Sequence, residues 1–234
     1  MSYNDSIPVL PSQCIRFLKL LKRNNNREWF NSNKEAFLTA QQAVEIFADA
    51  LLKELNRHDF IETPSGKKSL GRIYRDIRFS VDKTPYKTSW NGHFKRATRS
   101  RRGGYYFHVE PANKSFIAGG FWAPGAPDLK RIRDDIAFDP APLKKILKSK
   151  SFVEKFGTLQ GEQLKKVPRG YQSSGEVSDL LRYKQFLLIR KFNDEEITDT
   201  SFFSKASQTF RSMRPFFDYM SDVLSTDVNG ESLI

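Results

Sequence analysis

The sequence predicts an α+β fold: a single domain in which a mainly antiparallel sheet packs against several amphipathic helices. Three observations carry that expectation. Apolar residues recur at steps of three and four near both ends of the chain, the pattern of helices with one buried face. The middle alternates apolar and polar residues in "YYFHVEP" and runs apolar in "SFIAGGFW", with a turn between them. The 20 phenylalanines among 234 residues supply enough apolar surface for a substantial core.

The elements follow in order. Residues 12–23, "SQCIRFLKLLKR", place Ile15, Leu18 and Leu21 at three-residue steps, and "NNN" at 24–26 ends that helix. A second helix is expected to begin near Ser32, because Ser32 and Glu35 have the spacing of a capping box. Phe37, Ala40, Val44, Phe47, Leu51 and Leu55 continue it as one stripe. Pro64 and Gly66 mark a break. In the strand 105–110, Tyr105, Phe107 and Val109 face one way, and Tyr106, His108 and Glu110 the other. Residues 111–114 turn the chain into "SFIAGGFW", and "WNGHF" at 90–94 is a third strand candidate. Gly119 and Gly120 inside a strand suggest a bulge or a close approach. Asp128 is placed to cap a helix from Leu129 to about Ala137. Further on, "PLKKILKS", "SFVEKF" and "VSDLLRYK" read as helices, and "QFLLIRKF" as a strand. The last helix carries Ala206, Phe210, Met213, Phe217, Met220 and Leu224, with Pro215 kinking or dividing it. One domain is expected over 1–234, with short flexible termini at about 1–10 and 226–234.

Composition narrows the function classes. The lone cysteine, Cys14, rules out an internal disulfide and a multi-cysteine zinc site. No apolar run reaches membrane-spanning length, and the start lacks a leader pattern, so a cytoplasmic protein without a membrane partner is expected. The net charge of +12 is concentrated: Lys67 to Arg102 holds twelve basic residues against Asp76 and Asp82, a local +10. Such a segment points to an anionic partner, whereas a plain reading makes it a solvated loop.

Within it lies "RIYRDIRFSVDKTPYKTSW". Arginine forks match phosphate or carboxylate in two parallel bonds. Arg72, Arg75, Arg78, Lys83, Tyr86 and Lys87 are therefore the anion-binding candidates. Asp76 stands at helical spacing from Arg72 and could hold it in place. The competing reading is a structural network in which Asp76 and Asp82 brace these arginines. A second basic run, "KRATRSRRGG", offers Lys95, Arg96, Arg99, Arg101 and Arg102 as nucleic-acid contacts beside Tyr105 and Tyr106. His108 and Glu110 form a possible acid–base pair, with Asp82 as a further proton-moving group. His58, His93 and His108 lie at no helical ligand spacing, and no metal or cofactor is expected.

Together "FLKLLKRNNNREWFNSNKEAF", "RIYRDIRFSVDKTPYKT", "YYFHVEP", "FIAGGFWAPGAPDLKRIRDDI" and "LLRYKQFLLIRKF" resemble the family known as domain of unknown function 2461. The resemblance covers nearly the whole chain and implies one domain; it implies no activity. Similar proteins carry an Asp–His–Pro element after a Gly–Tyr pair, where this chain has Ser173, Ser174 and Gly175.

The functional expectation is a basic binding module for a phosphate-bearing ligand or nucleic acid. The alternatives are an enzyme on a phosphate- or carboxylate-bearing substrate, with an arginine clamp and His108, Glu110 or Asp82 moving protons, and an interaction protein that docks an acidic partner.

Overall fold

A computed structural model describes residues 9–171, 175, 177–226 and 231–232. Most of the two terminal segments expected to be flexible, and Ser173 and Ser174, lie outside the described residues. The elements run α1 (Ser12–Arg23), α2 (Arg27–Ser32), α3 (Lys34–Leu55), α4 (Gly66–Ser69), β1 (Trp90–Lys95), β2 (Gly104–Val109) and β3 (Ser115–Phe121). They continue with α5 (Ala126–Phe138), α6 (Ala141–Leu147), α7 (Lys150–Phe156), α8 (Val177–Leu181), β4 (Phe186–Phe192), α9 (Asp194–Thr198), α10 (Phe202–Ser212) and α11 (Arg214–Ser225). The strands form one four-stranded antiparallel sheet in the order β1-β2-β3-β4. The α+β class is as expected. Two compact units emerge: Met1–Phe94, Tyr106–Ile117 and Lys191–Gln208 make the first, and Lys95–Tyr105, Ala118–Arg190 and Thr209–Ile234 the second.

The first unit is organised by α1 and α3. Their apolar stripes bury Cys14, Leu18, Leu21, Val44, Phe47 and Leu51. Phe47 stacks on Phe202 with ring centroids 5.6 Å apart, and Phe94 and Phe107 are fully buried. The β2–β3 turn has left-handed residues at Ala112 and Asn113. Their backbone N–H groups donate to the Asp194 carboxylate at 3.2 and 2.9 Å. Burial pushes the Cys14 thiol up to about 12, and its sulfur donates to the Ala40 carbonyl at 3.5 Å. Because the thiolate is the reactive form, Cys14 should resist Ellman's reagent in the native protein and react fully in denaturant. Rapid labelling of the native protein would contradict this packing.

The second unit is an aromatic core beneath helices. The Tyr105 ring meets Phe210 and Phe217 edge-on at 5.2 and 4.9 Å, and Ile132, Ile136, Leu143 and Phe186 are buried. The glycine pair expected to permit a close approach does so. Gly120 has φ +134°, and a Cβ there would overlap the Phe186 carbonyl oxygen of β4. A Cβ at Gly119 would lie 2.5 Å from the Met213 sulfur. Pro215 divides the last helix, α10 ending at Ser212 and α11 opening with proline in its first turn.

Two capping expectations fail. Ser32 is the last residue of α2, and its hydroxyl donates to the Glu28 carbonyl at 3.1 Å; α3 starts after Asn33 with no side-chain cap. Asp128 lies inside the first turn of α5, whose cap is Gly125. Its carboxylate receives the Arg102 guanidinium instead.

Candidate functional site

The stretch from Ile73 to Lys87 is neither a helix nor a regular strand. It is a narrow hairpin-like loop. Tyr74 and Tyr86 form an isolated antiparallel bridge. Arg75 N–H donates to the Pro85 carbonyl at 2.9 Å, and Lys87 N–H to the Ile73 carbonyl at 2.7 Å. Asn25 anchors the returning arm like one rung of a sheet: its amide donates to the Tyr86 carbonyl at 2.9 Å and accepts from the Tyr86 N–H at 3.1 Å. The Tyr86 ring stacks on Phe30 with centroids 4.0 Å apart, and Ile73 and Tyr86 are buried. Asn26 caps α2 by accepting from the Trp29 N–H at 2.9 Å. That cap sets the direction in which Arg27 and Asn31 leave the helix.

The acidic residues of this loop are committed to its own arginines. Arg75 reaches Asp82 at 2.5 Å and also donates to the Thr84 hydroxyl and carbonyl. Arg78 grips Asp76 through Nε at 3.0 Å and Nη2 at 2.7 Å. The Thr84 N–H and the Arg75 guanidinium hold the Asp82 carboxyl down to about 2, and the Arg78 side chain likewise lowers that of Asp76. Asp76 therefore pairs with Arg78, not with Arg72 as helical spacing would have it. Arg72, Arg75 and Arg78 occupy three different surroundings instead of meeting at one point.

Three depressions surround the loop. An open cleft of about 560 Å³ is lined by residues including Asn25, Arg27, Ile77, Asp82, Lys83 and Thr84. A cavity of about 290 Å³ adds Asn31, Tyr74, Arg75 and Tyr86. One of about 300 Å³ is lined by Lys67, Arg72, Tyr74, Trp90 and Asn91 among others. Arg27 was missed by sequence reasoning, which took "NNN" only as a stop; asparagine before Arg–Glu–Trp is also a helix-start signal. Among the described residues, Arg27, Arg72, Lys83 and Lys87 make no ion pair. Lys83 donates to the Ile77 carbonyl at 3.0 Å, which leaves its charge unneutralised.

The second basic run has a different character. Lys95, Arg99 and Arg101 are exposed, but Arg96, expected as a nucleic-acid contact, has a side chain only 1% exposed. It donates to the Arg102 and Phe217 carbonyls at 2.9 and 3.3 Å, to the Ser221 hydroxyl at 3.1 Å and to Asp218 at 2.9 Å. Its guanidinium lies 5.1 Å from the Phe217 ring centroid. Arg102 is half-buried against Asp128. Tyr105 is fully buried and so presents no ring to a base. Arg96 belongs to the core of the second unit and is removed from the contact set.

On β2 the alternation holds, and His108 and Glu110 do share a face. His108 Nε2 lies 2.9 Å from Glu110 Oε2, and its Nδ1 lies 3.4 Å from the Tyr106 hydroxyl. The imidazole stacks on Phe116 at 4.8 Å. Both ring nitrogens thus face protein partners. Among the described residues no group of three histidine, cysteine, aspartate or glutamate side chains could hold a metal ion, and no helix is long and apolar enough to cross a membrane.

Residues 13–219 match the family model described as "Conserved hypothetical protein (DUF2461)". No curated protein matches the chain, and no solved structure does. The match runs from within α1 to within α11 and takes in the whole hairpin, so the chain belongs to this conserved hypothetical protein family, domain of unknown function 2461.

Proposed function

We propose that the protein is a basic binding module that holds a phosphate-bearing ligand or a nucleic acid at the 73–87 hairpin. The supporting observation is the distribution of charge after pairing. Asp76 and Asp82 are taken up by Arg78 and Arg75, while Arg27 and Lys83 stand on the wall of one cleft without an ion pair. An anion between them gains charge-assisted hydrogen bonds and relieves their mutual repulsion. A cytoplasmic location goes with this reading.

An enzyme built on Asp82, His108 and Glu110 has less support. Asp82 is held ionised by Arg75 and Thr84, which makes it a poor proton donor near neutrality. His108 and Glu110 line none of the three depressions beside the hairpin, so the acid–base pair does not meet the candidate anion-binding residues, as a general base must meet its substrate.

The test is retention on heparin. The double variant Arg27→Ala/Lys83→Ala should elute at clearly lower salt than wild type, because each lost phosphate-type contact reduces the counterion-release slope by about one. Arg27 and Lys83 are both exposed, so folding should be unaffected. Equal retention of the double variant and wild type would remove the cleft from the reading.

A further inference from the structure

We propose that the tip of the 73–87 hairpin is a stacking platform for an unpaired base of a single-stranded nucleic acid, with Phe79 as the ring; this rests on the anion-binding reading above and names its ligand. Phe79 is 96% exposed and Val81 is fully exposed. They sit on a turn whose shape is held from within. Asp76 accepts from the backbone N–H of Arg78 at 3.2 Å as well as from its guanidinium. The Ser80 N–H donates to the Ile77 carbonyl at 3.3 Å. Asp82 accepts from the Thr84 N–H at 2.9 Å. A braced turn therefore holds two apolar side chains in water, leaving their burial available to a partner.

The surroundings select the partner. The Arg78 guanidinium lies 6.0 Å from the Phe79 ring centroid, which sets a cation for a phosphate beside a ring for a base. Tyr74, 62% exposed, is a second ring on the same hairpin. Lys83, Lys87 and Arg72 carry unneutralised charge along it. Exposed rings among cations are the components of single-strand binding: the charges follow the phosphates and the rings take the bases. A duplex keeps its bases stacked and cannot use the ring. Heparin has charge without bases and cannot use it either.

The experiment is fluorescence anisotropy at low salt with labelled oligothymidine, a labelled DNA duplex and labelled heparin, using wild type, Phe79→Ala and Phe79→Trp. Phe79→Ala should weaken oligothymidine binding about tenfold or more, in keeping with alanine substitution at stacking rings. Heparin and duplex binding should change little, and Phe79→Trp should retain the strand. Melting temperatures should be equal, since the ring touches solvent. Equal oligothymidine affinity for wild type and Phe79→Ala would overturn the proposal while leaving charge-based binding intact. No binding of any of the three polyanions would sink the anion reading itself. A bilayer is the other surface that could take Phe79 and Val81. Phe79-dependent sedimentation with phosphatidylserine vesicles, without a Phe79 effect on oligothymidine, would likewise overturn the proposal.

Discussion

Arg96→Ala is expected to cost roughly 2–5 kcal/mol of stability, from the void a large buried side chain leaves and the hydrogen bonds lost with it. The loss does not come mainly from Asp218. That carboxylate keeps Arg214, whose Nη2 lies 3.0 Å from both of its oxygens. It comes from the hydrogen bonds and packing that the buried side chain itself makes inside the second unit; the Phe217 carbonyl and Ser221 hydroxyl keep each other as partners. The carbonyls of Arg102 and Phe217 and the hydroxyl of Ser221 each accept from one guanidinium nitrogen. The void left beside Phe217 adds a cavity term. In a protein of this length each kcal/mol shifts the melting temperature by about 2–4 °C, so a fall of roughly 10 °C should be seen. Arg99→Ala/Arg101→Ala removes two charges from the same run at exposed positions and should leave the melt almost unchanged. Small and equal shifts for the two variants would mean that Arg96 is not the fixed centre of this network.

Arg96 also shows what the sequence held but did not announce. Trp90, Gly92 and Phe94 are the inward positions of β1, and a period of two carries the next inward position to Arg96. A strand ending at Phe94 leaves Arg96 among its basic neighbours. Periodicity otherwise served well. The stripes of α1 and α3, the alternation of β2 and the division at Pro215 each follow from one repeated contact with a core. Caps and turns were less legible, since they depend on which of several polar groups wins a local contest. Ser32 and Glu35 have capping-box spacing, yet Ser32 bonds back to Glu28. Asp76 has Arg72, Arg75 and Arg78 within four residues and takes Arg78. The hairpin of the candidate site was least legible of all. Its registry is set by Asn25, far away in sequence, and its exposed Phe79 runs against the burial rule by which sequence reading works.

That dependence on Asn25 gives the second large expected effect. Asn25→Ala should release the hairpin and weaken polyanion binding, although it removes no charge. The Asn25 side chain supplies both partners of the Tyr86 backbone group, donating to its carbonyl and accepting from its N–H. Tyr86 is only 4% exposed, so water is poorly placed to substitute. Each backbone group left without a partner costs about 1–3 kcal/mol, and the two together roughly 2–6 kcal/mol. The protein has an alternative to bearing that cost: it can let the 73–87 arm open and hydrate. Opening would separate Tyr86 from Phe30 and pull Lys83 from the cleft it shares with Arg27. Hydrogen exchange should therefore show lost protection at the amides of Arg75 and Lys87, which close the hairpin, while α3 stays protected. The variant should elute from heparin at lower salt than wild type. Asn25→Asp keeps the acceptor and loses the donor, so exchange should be intermediate. A variant Asn25→Ala with native protection at Arg75 and Lys87 would show that Tyr86 stacking alone fixes the hairpin. Native protection with weakened binding would instead give Asn25 a direct contact with the ligand.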